Sequence, residues 1–331
     1  MRLLQITRPN GERRAGLIDD AKIRLLDGVA SVYELAQEAL AAGATLAATV
    51  HRHLSAETLE YDAVYAGRSP WSILPAMDHP TEPARCLVSG TGLTHMVSAQ
   101  NRQAMHATGA APTDSMRMYQ WGVEEGRPAP GAIGTAPEWF YKGSGASLRA
   151  HGQPLVVPPH AEDGGEEPEI AGIYVIDASS RPRRVGMAAG NEFSDHRFEK
   201  KNYLYLASSK LMTCAIGPEL VVDPDFAAVA GEVSIERGGQ TIWSKPIRSG
   251  EAAMSHSLAN LEHHHFKHAA HRRPGDVHVH FFGADAFSFG EGVALEEGDV
   301  MQVRFDGFGR PLRNPLRIDR SAARLYAAEP I

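Results

Sequence analysis

From Cys86 onward the chain is cut by glycine and proline into short apolar runs. CLVSGTGL, PLVVPP, IAGIYVID, GMAAGNEF, LVVDP, AAVAGEVSIER, DVHVHFFG and DVMQVRFDGFG follow one another with turn residues between them. Such runs are short for packed helices, rich in β-branched residues and bounded by turn formers, so they predict short strands. Many short strands with few helical stretches predict a mostly antiparallel β domain, with one helix expected near 251–270. The first 80 residues differ. MRLLQITR and AGLIDDAKIRLLDG read as short strands, with a polar turn at Pro9-Asn10-Gly11. VYELAQEALAAG and LAATVHRHL have helical spacing, with Gly43 as a helix stop. PAMDHPTEP, with its repeated prolines, reads as a linker. The expected class is α+β, a small N-terminal α+β domain over 1–80 followed by a β-rich domain over 81–331. No internal repeat or low-complexity segment interrupts it.

At 331 residues the chain can hold one large core or two ordinary domains. A formal net charge of −7 and the absence of any Lys/Arg run argue against a nucleic-acid partner. Cys86 and Cys214 are the only cysteines, far apart and without metal-ligand spacing. A reduced cytoplasmic setting is the simplest expectation, although the two could pair. MRLLQITRPNGERR has charges where a signal peptide needs an apolar core, and no stretch is suited to cross a bilayer. The expectation is a soluble cytoplasmic protein with no membrane partner.

In GGEEPEIAGIYVID, residues 164–177, three glutamates press against a run that reads as a buried strand. Alternate side chains of a strand share a face, so Glu167, Glu169, Ala171, Ile173 and Val175 point one way, with the two carboxylates roughly 7 Å apart. On an apolar face they are costly unless protonated, paired with a base or bridged by a cation. A solvated acidic turn that ends where the strand begins is the alternative. Both readings stand at this point.

LEHHHFKHAAH and DVHVHFF carry the densest run of potential metal ligands. Helical spacing puts Leu258, Leu261 and His265 on one face with Met254, and His264 and His268 on another. His278 and His280 share one strand face, opposite Val277, Val279 and Phe281. Zinc needs three or four converging ligands, and these segments guarantee only pairs. His280 is the histidine best suited to line a pocket.

A cation on Glu167 and Glu169 needs a third ligand, and GMAAGNEFSDH offers Glu192 at the end of a small-residue strand. All-oxygen sites suit hard ions: Mg²⁺, with Mn²⁺ or Ca²⁺ as alternatives. Downstream, SSKLMTCAIGPEL supplies Lys210 and a Gly-Pro turn. Over about residues 84–318 these motifs, with PEWFYKGSGASL at 137–148, PGDV at 274–277 and GDVMQVRFDGFGRPLRN, resemble in order those of the fumarylacetoacetate hydrolase family. The resemblance implies a β-roll catalytic domain behind the small N-terminal one, a metal on Glu167, Glu169 and Glu192, and a homodimer.

Two departures narrow what the resemblance implies. The family's hydrolases carry a water-activating His/Glu pair on a mobile lid; here GLTHMVSAQN has Ser98 and Asn101 in those places, with His95 three residues ahead of Ser98. His280-Phe281-Phe282 replaces a Thr-Gly-Thr that helps hold a substrate carboxylate. Together with PEWFYKG these features resemble the family's dehydratases of 2-keto-3-deoxypentonates, such as the arabinonate-derived acid. The implied reaction is loss of water from a 2-oxo acid through a metal-stabilised enolate, with 2-oxoglutarate semialdehyde as product. Lys210 is expected to share the enolate charge, with a Schiff base as its alternative role, and Glu138 to act as acid/base. Lys142, His95 and His280 are expected to contact substrate, and Asp195 and His196 are candidates to support the ligands. Cys214 is expected to be packing, and Arg183 and Arg184 solvated turn charges. The alternatives are a hydrolase cleaving a C–C bond in a 2,4-dioxo acid of the acylpyruvate type, a 2-oxo acid decarboxylase, and a non-catalytic sugar-acid binding protein.

Overall fold

The computed structural model describes every residue except 108 and 110. Near the N-terminus the strands Arg2–Thr7, Arg13–Asp19, Lys22–Leu26 and Leu54–Glu60 form an antiparallel meander. Against it packs the helix Val32–Ala42, which buries Val32, Leu35, Ala36 and Ala39. Ser31 starts this helix by accepting from the Glu34 N–H, and Gly43 stops it at φ 61, a conformation that glycine takes without a Cβ clash. The second helix ends at Arg52 and the chain turns at once into Leu54–Glu60. LSAETLE escapes a strand reading because it lies at the sheet edge, where half its positions are polar and exposed.

Arg2–Thr7 also pairs with Leu220–Val221, so the N-terminal meander continues the sheet of the following segment. In that sheet Pro168–Ile176 is buried at every position, between Pro182–Asn191 and Val277–Phe281. Val277–Phe281 runs parallel to Cys86–Gly92, and Glu138–Ser144 closes the edge. A second sheet holds Gln240–Ser249, Val229–Arg237, Val300–Phe305, Leu312–Ile318 and Leu155–Val157. Ile170, Met187 and Phe282 pack towards that second sheet. Ala171, Ile173, Val279 and Phe281, on the opposite face, share a core with Val32 and Leu35 of the first helix.

Pairing is mostly antiparallel, as expected, and three strand pairs are parallel, where strands distant in sequence meet through long crossovers. Two expectations are corrected. The expected helix at 251–270 is confined to Leu258–Phe266, capped by Ser257, and His268 lies beyond it, so it shares no helix face with His264. Arg183 and Arg184 are strand residues, paired with Asp177 at 2.8 Å and Glu262 at 2.8 Å. Cys86 and Cys214 are buried free thiols. Among the described residues no helix is long and apolar enough to cross a membrane.

Candidate active site

Glu167, Glu169 and Glu192 converge. Each offers a carboxylate oxygen within 4.8 Å of the others, and all three side chains are buried. The solvated-turn alternative is thereby excluded. Two of the three share a face by strand alternation, while register delivers the third: Asn191 pairs with Pro168, so Glu192 emerges beside Glu167. The Asn191 side chain ties the junction, its Oδ1 accepting from the N–H groups of Glu167 and Phe193. Phe193 follows at φ 23, a strained value for a residue with a Cβ. Its carbonyl accepts from Lys142 Nζ at 2.6 Å, which holds the turn in place.

Two lysines enter the cluster. Lys210 Nζ lies 2.5 Å from Glu167 and 2.6 Å from Glu192, with the Phe140 ring beneath it. Lys142 Nζ lies 2.7 Å from the other Glu192 oxygen. Burial alone would raise the Glu167 pKa, but the Lys210 ammonium and a 3.0 Å bond from His196 hold it well below the usual range. Burial and Glu167 push Glu192 up to about 7, against the pull of both lysines. Burial and the two neighbouring carboxylates drive Glu169 well above its ordinary value. Burial disfavours the Lys210 charge, yet Glu167 and Glu192 reverse that and hold it protonated. Glu169 accepts a 2.6 Å bond from the Gly283 N–H and has no cationic side chain paired with it among the described residues.

This donor set fits a hard divalent cation. Three converging all-oxygen ligands suit Mg²⁺, Mn²⁺ or Ca²⁺, and the charge lacking a partner, on Glu169, is what such an ion supplies. His196, stacked on Phe287, and Asp195, which caps the helix His196–Lys201, brace the cluster from the adjoining segment.

Glu138 begins the edge strand, buried rather than in a surface turn. Its register partner is Gly92, and a Cβ there would lie 1.8 Å from Glu138 Oε2, so only glycine leaves room for the carboxylate. The cavity bounded by Gly92, Arg102, Glu167, Glu169, His196 and Lys210 encloses about 20 Å³. Its remaining wall includes Ser98 and Met105 of the helix Met96–His106.

None of the three expected substrate contacts lines the cavity, Lys142 being turned to Glu192 and the Phe193 carbonyl. His280 pairs in register with Gly172 and Ser89, on the sheet face opposite Ala171 and therefore opposite Glu169. Its ring nitrogens lie 2.8 Å from Ser89 Oγ and 2.7 Å from Thr91 Oγ1, and its ring packs on His265. His265, His271 and His278 complete this layer, and the three-ligand convergence among the described residues lies elsewhere. His95 is buried at the start of the helix Met96–His106, 2.9 Å from Thr94 Oγ1, and is not among the cavity-lining residues. Conversely, Arg102 and Tyr203 hold Glu138, and Glu199 holds Arg102; none of the three was singled out from sequence. Ser98, Arg102 and Met105 recur at i, i+4 and i+7, a helical-face signal that marks Arg102 as their neighbour.

The architecture is of the fumarylacetoacetate hydrolase type. A hexagonal crystal form of a 2-keto-3-deoxyarabinonate dehydratase superposes with a TM-score of 0.72 at 17% identity, covering 97% of this chain and 100% of that one. A 2-keto-3-deoxy-D-arabinonate dehydratase complexed with magnesium and 2,5-dioxopentanoate gives 0.71 at 19% identity with the same coverage. By sequence the chain is 27% identical over 178 residues to a probable 2-keto-3-deoxyxylonate dehydratase of Haloferax volcanii. That match spans 52% of this chain and 58% of the relative's length. No family profile matches the chain.

Proposed function

We propose that the protein is a divalent-metal-dependent hydro-lyase that removes water from a 2-keto-3-deoxy sugar acid, with a 2-keto-3-deoxypentonate as substrate and 2-oxoglutarate semialdehyde as product. The observation that carries this reading is the buried convergence of Glu167, Glu169 and Glu192 beside Lys210. The likeness in fold to sugar-acid dehydratases, and the partial sequence match to another, support the same class.

Glu167, Glu169 and Glu192 would hold Mg²⁺, which supplies Lewis acidity towards the 2-oxo acid when bound. Lys210 stays protonated between two carboxylates, so it acts as a hydrogen-bond donor to developing enolate charge and not as the free amine of a Schiff base. Lys142 holds Glu192 and the Phe193 carbonyl, which makes it an organiser of the cluster. The Glu138 carboxylate takes the C3 proton and returns it to the C4 hydroxyl, which leaves as water, and the resulting unsaturated 2-oxo acid isomerises by proton shift to the semialdehyde. Among the residues lining the cavity, the helix Met96–His106 offers Ser98, Arg102 and Met105, none of them a base suited to activating water. That disfavours C–C bond hydrolysis. We place the reaction in the cytoplasm, expect a homodimer, and take the first 80 residues as a small N-terminal α+β domain whose sheet runs on into the catalytic one.

The test is a comparison of kcat/KM with Mg²⁺ for 2-keto-3-deoxypentonates and acylpyruvates, the semialdehyde being detected through an aldehyde dehydrogenase. Dehydration is expected to exceed acylpyruvate cleavage at least 100-fold, roughly 2.7 kcal/mol in transition-state binding. Lys210→Met is expected to lower turnover by at least the same order. Efficient acylpyruvate cleavage without dehydration of any such acid overturns the proposal in favour of a hydrolase.

A further inference from the structure

Arg102 has no part in the chemistry above, yet it is buried against the group that chemistry depends on. Its Nη1 lies 2.9 Å from Glu138 Oε1 and its Nε 2.5 Å from Glu199 Oε1. The Tyr203 hydroxyl donates to the same Glu138 oxygen at 3.1 Å. All the anchoring therefore falls on Oε1. The other oxygen, Oε2, is buried with no hydrogen-bond partner among the described residues and lies against Gly92, which is in the cavity wall. A bare carboxylate oxygen at such a place carries a desolvation penalty that neighbours normally relieve. Here the neighbours that could relieve it are turned to Oε1.

Arg102 also joins three elements. It belongs to Met96–His106, Glu138 begins the edge strand, and Glu199 belongs to His196–Lys201. About 20 Å³ is room for a single water and not for a five-carbon acid. Substrate thus enters only when part of the wall moves, and displacement of Met96–His106 takes the guanidinium away from Glu138. An arginine suits this place better than a lysine, because its planar fork serves two carboxylates in different directions at once.

We propose that Arg102 is a positioning residue that couples seating of the helix Met96–His106 to alignment of Glu138. With the helix seated, the guanidinium holds Oε1 and leaves Oε2 against Gly92, which lines the cavity; with the helix displaced, Glu138 loses its main anchor. Proton delivery is thereby restricted to the closed site. The proposal rests on the dehydratase reading in so far as Glu138 is the proton-transfer group.

The kinetic test is a cycle of wild type, R102M, E138Q and the double variant, assayed with Mg²⁺ on a 2-keto-3-deoxypentonate. R102M is expected to lower kcat about 100-fold with KM changed less than about threefold, and the double variant to be no slower than E138Q alone. R102K, which keeps the charge without the fork, is expected to retain the fold and recover part of kcat. Additive losses, or a raised KM with kcat preserved, overturn the proposal. A second measurement needs no turnover: amide hydrogen exchange of the metal-free protein. R102M is expected to lose protection over residues 96–106 by at least about tenfold while Pro168–Ile176 is unchanged. Unchanged exchange at 96–106 overturns the coupling. If wild type dehydrates none of these acids, the dehydratase reading and the kinetic half of the proposal fall, and exchange alone decides whether Arg102 holds the helix.

Discussion

Among the described residues, Glu169 is the carboxylate of the three that has no cationic side chain paired with it. Glu167 has Lys210 and His196, and Glu192 has Lys142 and Lys210, but among the described residues Glu169 has only the Gly283 N–H. Its neutral form is favoured by burial and by both neighbouring carboxylates. Glu169→Gln should therefore leave the metal-free protein as stable as wild type or slightly more so, since no ion pair is broken. The same variant should lose the thermal upshift that a divalent ion provides, worth about 2.7 kcal/mol at a hundredfold excess over Kd. Melting with and without Mg²⁺, together with calorimetric titration, checks both halves; wild-type affinity in the variant removes Glu169 from the ligand set. Replacing His264 and His268 together should leave metal binding unaltered, since neither approaches the cluster.

At the scale of elements, the contact between Cys86–Gly92 and Glu138–Ser144 sets the shape of the cavity wall. A bulge between Val88 and Ser89 shifts the register, and beyond it Gly90 faces Phe140 and Gly92 faces Glu138. Both glycines leave space that a side chain fills: the Phe140 ring over one and the Glu138 carboxylate over the other. Gly92→Ala should displace Glu138 while leaving the strand ends that carry Glu167, Glu169 and Glu192 intact. Turnover is expected to fall at least about tenfold, with Mg²⁺ affinity unchanged within about threefold. A simultaneous loss of metal affinity contradicts this separation of the two halves of the site. PEWFYKGS is readable as a strand from its aromatics; which of its residues face Gly92 and the carboxylate cluster depends on the bulge, which no local pattern encodes.

Across the molecule, buried polar groups link distant segments and make stability depend on pH. Glu219 receives Arg2 at 3.0 Å, the Tyr61 hydroxyl at 2.7 Å and the Arg310 N–H at 3.0 Å, joining the N-terminal strands to the last hairpin. Burial also pushes several histidines down, to about 4 for His151 and His256 and about 3 for His278 and His280. In the unfolded chain these rings take up protons near pH 6.5. Each lowered folded pKa therefore contributes stability that is present above pH 6.5 and is lost as pH falls towards the folded value. His280→Gln can still bridge Ser89 and Thr91 but does not titrate. Relative to wild type it should remove a slope approaching about 1.4 kcal/mol per pH unit below pH 6, whatever the other groups contribute. Urea unfolding at pH 7, 6 and 5 measures it, and parallel slopes for the two proteins contradict the assignment.

Local spacing determined what lies within one element. The apolar runs yielded the strands, Gly43 the end of a helix, and the two-residue spacing of Glu167 and Glu169 their common face. It also placed His278 and His280 together, away from Val279 and Phe281. Tertiary structure decided which faces meet. Register between two strands brought Glu192 to Glu167, and a turn eighteen residues downstream of Glu192 delivered Lys210 to both. His280 was turned to the back of the sheet by its pairing with Gly172, and Arg102 reached Glu138 across 36 residues and Glu199 on a third element, the helix His196–Lys201. Periodicity states which side chains of an element lie together, because backbone geometry is local. Which partner that face receives depends on how all the elements bury their surface at once, and a window of sequence holds only one side of that contact.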